Sequence, residues 1–187
     1  MIENHRVIPQ PPIRVFIPAV CLIFSCFVFI NVCPAENAVS LGYGFGAWNG
    51  CGTGRIEQKA PYDYATFSYL YEKPFASAIA LVFEPFLNLV NRPDYGLDAG
   101  FNVYAKAYVP EFSPGSRLYF TAGTGMAYTT VQFKEQGTHG LFILQGGIGY
   151  RAGRFFIENR LHHYSNGGLA KPNRSVNSNL VMIGCYF

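Results

Sequence analysis

Charged side chains are scarce in this chain of 187 residues. Lysine, arginine, aspartate and glutamate together make up 13% of it, against about 25% in a typical soluble domain. An ordinary water-facing surface is therefore not expected. The formal net charge of +3 says little about partners, because a few of the basic residues lie near the N-terminus, before a long apolar run. We expect no nucleic-acid partner.

Cysteines and cofactor motifs are scarce as well. Three of the five cysteines lie in or beside one apolar run near the N-terminus, which leaves only Cys51 and Cys185. Two cysteines do not make a disulfide framework. His162 and His163 are adjacent in a predicted strand, so their side chains point to opposite faces and cannot share a metal ion. We expect no metal and no cofactor.

One long apolar run, residues 15–32, is preceded by arginines and followed by small residues. This pattern predicts a signal peptide over residues 1–35 with cleavage after Ala35. An uncleaved anchor helix is the alternative, because about 18 apolar residues could span a bilayer. A lipoprotein cleavage before Cys33 is disfavoured, because a valine precedes it. The mature chain would then be a single domain, residues 36–187.

The rest of the chain alternates between apolar and polar residues. In "YGLDAGFNVYAKAYV", residues 95–109, one set of alternate positions is apolar and the other contains Asp98, Asn102 and Lys106. Such alternation predicts a strand with one apolar and one polar face. The same test predicts eight strands, at residues 39–48, 62–71, 78–90, 95–109, 118–128, 139–151, 153–166 and 177–187.

The connections between these strands alternate in length. Polar and mostly long segments are expected at one end of the sheet and mostly shorter ones at the other, which with an even strand number is typical of outer-membrane barrels. The terminal Phe187, after an alternating strand, resembles the assembly signal of such barrels, so the outer-membrane assembly machinery is an expected partner. The polar, mostly long segments at the first end are 49–61, 91–94, 130–138 and 166–176, and the mostly shorter ones at the other end are 72–77, 110–115 and 152–153.

Two barrel types share this alternation. In a soluble barrel of the lipocalin type the apolar face points inward. Here the polar face consists mainly of small residues with isolated charges, which suits the packed lumen of a narrow barrel. We therefore predict an all-β fold, an eight-stranded antiparallel transmembrane β-barrel in the bacterial outer membrane. The oligomeric state is left open.

The seventh predicted strand contains a candidate catalytic pair. In "RFFIENRLHHYS", residues 154–165, the charged Glu158 and Arg160 mark the lumen face, so His163 and Ser165 extend the lipid-facing one. Residues two apart in a strand are roughly 6–7 Å apart along the backbone, so imidazole and hydroxyl can meet. Polar side chains facing lipid are costly unless they serve a purpose or lie at the interface. Decoration of a strand end is the alternative.

The segment "HHYSNGGLAKPNRSVNSN" resembles the signature of the lipid A 3-O-deacylases, a family of eight-stranded outer-membrane enzymes. The resemblance is more diffuse elsewhere in the region after Ala35. It is carried by His163-Tyr164-Ser165-Asn166, Gly168 and Pro172-Asn173, and further by "FEPF" at 83–86 and "QGTHGLFILQGGIGY" at 136–150.

The resemblance implies a role for each residue of the motif. Ser165 would be the nucleophile that attacks an ester carbonyl of lipid A, and His163 its general base. The backbone N–H of Gly168 and the side chain of Asn173 would meet the oxyanion, with Asn166 positioning them. The substrate would be lipid A of lipopolysaccharide, which lies in the outer leaflet and would approach the wall from the side.

The chain departs from the family pattern at one position. A glutamate is expected twelve residues after the serine, and Asn177 stands there. An asparagine oxygen can accept a hydrogen bond from imidazole but offers the imidazolium no negative charge. A slow enzyme, one adapted to asparagine and a barrel without activity are all compatible with this change. The alternative functions are a non-catalytic barrel with a structural or lipid-binding role, and an esterase acting on another lipid.

Overall fold

The structure, a computed structural model, describes residues 35–47 and 62–187. These residues form a closed antiparallel barrel in which each strand pairs with the next and β8 pairs with β1. The strands are β1 (Glu36–Gly46), β2 (Asp63–Ala76), β3 (Ile79–Arg92), β4 (Gly96–Tyr108), β5 (Ser116–Thr129), β6 (Gly140–Ala152), β7 (Phe155–Ser165) and β8 (Val176–Tyr186). Residues 1–34 of the predicted signal peptide and the predicted loop 49–61 lie outside the described residues. Within the described ranges, no helix is long and apolar enough to cross a membrane.

The alternation of the sequence becomes the two faces of the barrel wall. In β4, Asp98, Asn102 and Lys106 are buried in the lumen, whereas Leu97 and Phe101 are exposed on the outside. Each of the other seven strands also exposes large apolar side chains on its outer face. The apolar face therefore points outward, which confirms the outer-membrane barrel and excludes the lipocalin arrangement.

Two groups of paired charges fill the lumen. The side chain of Arg160 is fully buried and contacts Glu84 at 2.6 Å and Glu158 at 2.7 Å. Lys106, also fully buried, contacts Glu72 at 2.8 Å. Buried charges are tolerated when they are paired and hydrogen-bonded. The pair between Arg160 and Glu84 joins β7 to β3 across the barrel, so the lumen is a packed polar core.

The turn between β2 and β3 is shorter than the sequence predicts. The segment 72–77 was expected to be the turn, but β2 continues to Ala76 and the turn occupies residues 77–78. The register of β2 against β3 shifts between Pro74 and Ala76. Proline has no N–H for the ladder and is tolerated at such an irregularity. The other strand ends agree closely with the prediction.

The connections divide between the two ends of the barrel as expected, except that the β3–β4 connection at the end with the longer loops, residues 93–95, is short. Residues 77–78, 109–115 and 153–154 connect strands at the end where the chain terminates. At the opposite end, which we call the outer end, residues 130–139 connect β5 to β6 and residues 166–175 connect β7 to β8. Both candidate catalytic residues of β7 therefore lie near the outer end.

Cysteine labelling tests this orientation. The side chains of Lys171, in the loop after β7, and Ser77, in the β2–β3 turn, are both exposed. With the native cysteines replaced by serine, we expect Lys171→Cys to react with a membrane-impermeant maleimide in intact cells. Ser77→Cys should react only after the outer membrane is opened, because its end faces the periplasm. The reverse order of labelling would contradict the orientation.

Candidate active site on the outer wall

The two adjacent histidines of β7 point to opposite faces of the wall. His162 is buried in the lumen, where its Nε2 lies 3.0 Å from Gln145 Oε1 and its Nδ1 lies 3.0 Å from the hydroxyl of Tyr164. His163 lies half-buried on the outer wall. Because successive side chains of a strand alternate between faces, only His163 can meet a molecule in the surrounding leaflet.

His163 is paired with Asn177 across the β7–β8 ladder. The two residues lie directly opposite each other, and Nδ1 of the imidazole is 2.8 Å from Oδ1 of Asn177. A carbonyl oxygen can only accept a hydrogen bond, so this pairing assigns the ring proton to Nδ1. Nε2 then carries the lone pair, which is the arrangement that a general base requires.

Ser165 ends β7 on the same outward face as His163. It lies opposite Phe142 of β6 and is half-buried. In the part of the chain that the structure describes, Ser165 Oγ is not hydrogen-bonded to the imidazole. Catalytic hydrogen bonds are often long in the absence of substrate and shorten in the reacting complex. Side-chain rotation can bring the two groups together, since residues two apart on one face lie roughly 7 Å apart along the strand.

Asn166 organises the loop that follows β7. Its buried side chain donates from Nδ2 to the carbonyl oxygens of Ala170 (3.0 Å) and Pro172 (3.1 Å). Its Oδ1 accepts the N–H of Gly168 at 2.9 Å, and its own N–H donates to Asn173 Oδ1 at 3.0 Å. The N–H of Gly168 is thus engaged within the loop. The bond to Asn173 Oδ1 fixes that amide and leaves its Nδ2 as the donor on the other side.

Two glycines make the turn that begins this loop. Gly167 and Gly168 have φ values of +63° and +82°, a left-handed conformation that glycine adopts without steric cost. A Cβ at Gly167 would also lie 3.0 Å from the ring of Phe142. The double glycine therefore lets the loop fold closely against the wall beside Ser165.

Two shallow grooves in the outer wall flank the pair. One, of about 520 Å³, borders His163, and the other, of about 430 Å³, borders the residue opposite Ser165. Their apolar walls suit hydrocarbon chains. The outward residues that form them include Leu144, Gly146 and Leu161 in the first groove and Phe142 and Leu169 in the second.

Sequence reasoning missed how the loop after β7 is held. Gln136 Nε2 donates to the carbonyl oxygen of Arg174, and Gly137 N donates to Pro172 O at 2.7 Å. The only signal in the sequence was the "QG" that opens the second stretch of the family resemblance.

In residues 35–47 and 62–187 there is no group of three or more His, Cys, Asp or Glu side chains that could hold a metal ion.

A model of the lipid A 3-O-deacylase (PagL) family matches residues 60–186. The chain belongs to this family. The matched region spans β2 to β8 and thus contains His163, Ser165 and Asn177. No curated protein sequence matches the chain.

Solved structures resemble this chain to different degrees. The crystal structure of the outer membrane enzyme PagL superposes with a TM-score of 0.62 at 16% identity, covering 79% of this chain and 98% of that one. The N-terminal β-barrel domain of Pseudomonas aeruginosa OprF has a TM-score of 0.47 at 16% identity and covers 82% and 100% of the two chains. Ail, the attachment invasion locus protein of Yersinia pestis, has a TM-score of 0.46 at 14% identity, with 83% and 100% covered. The likeness to PagL confirms the predicted fold.

Membership of the PagL family confirms three predictions from the sequence. The protein is an outer-membrane barrel, its family consists of lipid A deacylases, and the family reaction is the hydrolysis of an ester. The roles of His163, Ser165 and Asn177 stay predictions, as do those of Asn166, Gly168 and Asn173.

Proposed function

We propose that this protein removes an ester-linked 3-hydroxyacyl chain from lipid A in the outer leaflet, with Ser165 as nucleophile and His163 as general base. The hydrogen bond of 2.8 Å between His163 Nδ1 and Asn177 Oδ1 carries the proposal. It holds, on the outward wall, an imidazole whose free nitrogen is available to the serine two residues away. Polar side chains on a lipid-facing wall are costly unless they serve a purpose or lie at the interface.

The reaction proceeds through an acyl-enzyme. Ser165 Oγ attacks the ester carbonyl while its proton moves to His163 Nε2. The carbonyl group becomes a tetrahedral oxyanion. Collapse breaks the bond to the sugar oxygen, and the imidazolium returns the proton to this leaving alcohol. A water molecule, deprotonated by the same imidazole, then attacks the acyl-serine. The bond to Oγ breaks, the imidazolium returns the proton to Ser165 Oγ, and the fatty acid is released. Asn177 holds the ring throughout both steps.

Asn173 is the better-placed donor for the oxyanion. Its Oδ1 is held by the N–H of Asn166, which restrains the planar amide and leaves its Nδ2 available as a donor to the reacting carbonyl. The N–H of Gly168 donates to Asn166 Oδ1 in this structure and would have to exchange that bond for one to the oxyanion. Donors fixed before the reaction are worth most, because the transition state then costs no reorganisation. Asn166 acts by holding the other two.

Asn177 orients the imidazole of His163 but carries no charge. An Asp-to-Asn change in serine proteases costs about 10⁴ in kcat because it produces the wrong tautomer. In this structure the amide oxygen faces Nδ1, so the tautomer is the productive one. What Asn177 cannot do is stabilise the imidazolium by charge. We therefore propose an active enzyme that is slower than a relative with a carboxylate at this position.

Substitution of Asn177 tests the proposal. Asn177→Glu should raise the rate of fatty-acid release on the order of tenfold, by placing a charge beside the developing imidazolium, and Asn177→Ala should lower it. Asn179→Glu is the matched control: it adds the same charge two residues along the same face, where Asn179 bonds Asn159 rather than the histidine. Mass spectrometry of lipid A incubated with each variant in detergent micelles measures the rate.

A non-catalytic barrel that binds lipid or braces the membrane is the second candidate. It is favoured by the missing carboxylate and by the open geometry between Ser165 and His163. If the wild-type protein leaves lipid A intact and Asn177→Glu restores cleavage, the triad has lost its function in this chain. If both are inert, the deacylase proposal is wrong and the second candidate replaces it.

A further inference from the structure

The two described long loops at the outer end form one unit. Residues 130–139 and residues 166–175, which we call the loop pair, are joined through their backbones. The contacts are Arg174 N to Glu135 O (2.8 Å), Gly137 N to Pro172 O (2.7 Å) and a bridge between Gln136 and Asn173. The proposed oxyanion donor therefore lies at the junction of two loops, and not on a loop of independent conformation.

Gln136 holds this junction from the inside. Its side chain is almost completely buried, and Nε2 donates to the carbonyl oxygen of Arg174. The backbone carbonyl oxygen of Gln136 accepts a hydrogen bond of 3.1 Å from Nε2 of Gln132. Because Arg174 directly follows Asn173, the glutamine fixes the backbone next to the oxyanion donor.

Gly137 lets the two loops approach closely. A Cβ at this position would lie 2.4 Å from the carbonyl oxygen and 2.6 Å from the carbonyl carbon of Lys171. A clash with backbone cannot be relieved by a change of side-chain rotamer. Any other residue would push the loops apart at the place where the N–H of Gly137 bonds Pro172.

The loop between β5 and β6 is itself fixed to the barrel. Val131 and Phe133 are buried, and the ring of Phe133 packs edge-on against Tyr62 with the ring centroids 5.0 Å apart. The N–H of Val131 also donates to Thr129 Oγ1 at 3.0 Å. Aromatic packing of this kind fixes a segment through buried area and geometry. The barrel mouth thus sets the position of the first loop, and the first loop sets the position of the second.

We propose that Gln136 and Gly137 are positioning residues that hold the side-chain amide of Asn173 over the reacting carbonyl. They do not touch the substrate and act through the loop that carries the donor. This inference rests on the proposed function and adds two residues from a different connection to its machinery. A misplacement of about 1 Å in a catalytic group can cost on the order of 100-fold in rate.

A double-mutant cycle tests whether Gln136 acts through Asn173. Asn173→Ala should lower kcat by about 10²-fold, the lower end of the cost of one oxyanion donor. Gln136→Ala should lower kcat on the order of tenfold with KM unchanged, since only the transition state loses a contact. In the Asn173→Ala background, Gln136→Ala should change kcat by less than about twofold. Lys134→Ala, an exposed side chain of the same loop, should leave the wild-type rate unchanged.

The outcomes separate this inference from the function on which it rests. If the losses from Gln136→Ala and Asn173→Ala multiply in the double variant, Gln136 does not act through Asn173 and the inference is overturned. If Asn173→Ala has full activity while Ser165→Ala has none, the oxyanion assignment is wrong, and with it the inference. If the wild-type protein releases no fatty acid, the proposed function itself fails.

Two further variants guard against misfolding. Gln136→Met keeps the length of the side chain and removes only its hydrogen-bonding groups, and Gly137→Ala adds a single methyl group against Lys171. Each should retain the heat-modifiable migration of a folded barrel on gels and show the same loss of kcat at unchanged KM. A folded Gln136→Met or Gly137→Ala variant with full kcat would overturn the inference.

Discussion

We expect Ser165→Ala to abolish release of the 3-hydroxy fatty acid and to leave the barrel folded. Removing the nucleophile of such a unit costs up to about 10⁶ in kcat, and Ser165 is a wall residue that contributes nothing to the packed lumen. His163→Ala should cause a comparable loss, because a hydroxyl without a base is a weak nucleophile at neutral pH. Mass spectrometry of lipid A from cells that express each variant gives the readout.

Ser175→Ala is the matched control for this experiment. Ser175 is a partly buried serine of the loop that follows β7, ten positions after the proposed nucleophile. Cells that express Ser175→Ala should give the same lipid A mass spectrum as cells that express the wild-type protein. Full deacylation by Ser165→Ala would show that another residue is the nucleophile, whatever the family membership.

Arg160→Leu should destabilise the barrel strongly without touching the outer wall. The guanidinium contacts Glu84 and Glu158 and also lies 3.0 Å from Gln145 Oε1 and 3.1 Å from the hydroxyl of Tyr104. Leucine would leave two buried carboxylates without their cation, a change that typically costs about 3–5 kcal/mol. Urea unfolding in lipid vesicles, followed by the mobility of the folded barrel on gels, measures the change in the free energy of unfolding.

Two controls identify the cause of that loss. Arg117→Leu breaks an ion pair with Glu111 at the rim, where both side chains are exposed, and should change stability by less than about 1 kcal/mol. Adding Glu84→Gln and Glu158→Gln to Arg160→Leu should recover part of the loss by removing the unpaired charges. If the triple variant is no more stable than Arg160→Leu, lost packing and not unpaired charge explains the effect.

The strands and their faces were predictable because both depend on a period of two. Asp98, Asn102 and Lys106 could be assigned to the lumen from their neighbours alone, and the structure buries all three. The end of β2 was not predictable, because Pro74 reads as a turn residue. It is accommodated instead by a shift in register against β3, which depends on the partner strand and not on the local sequence.

The candidate site was predictable only in part, for a similar reason. Parity within β7 and β8 placed His163 and Asn177 on one face, and the structure joins them by a hydrogen bond. The contact of Gln136 with Arg174 spans 38 positions of the chain and depends on how two loops meet above the barrel. No period or local propensity encodes such a contact.

Because His163 and Ser165 point outward, the rate at which the proposed site meets its substrate depends on the concentration of lipid within the membrane. An aqueous enzyme meets its substrate in three dimensions, whereas a site on the lipid face meets lipids that diffuse sideways within one leaflet. The governing quantity is then the number of lipid A molecules per unit area of membrane, and not their molarity. Mixing in an inert amphiphile should dilute the substrate for this protein even when the total amount of substrate in the sample stays constant.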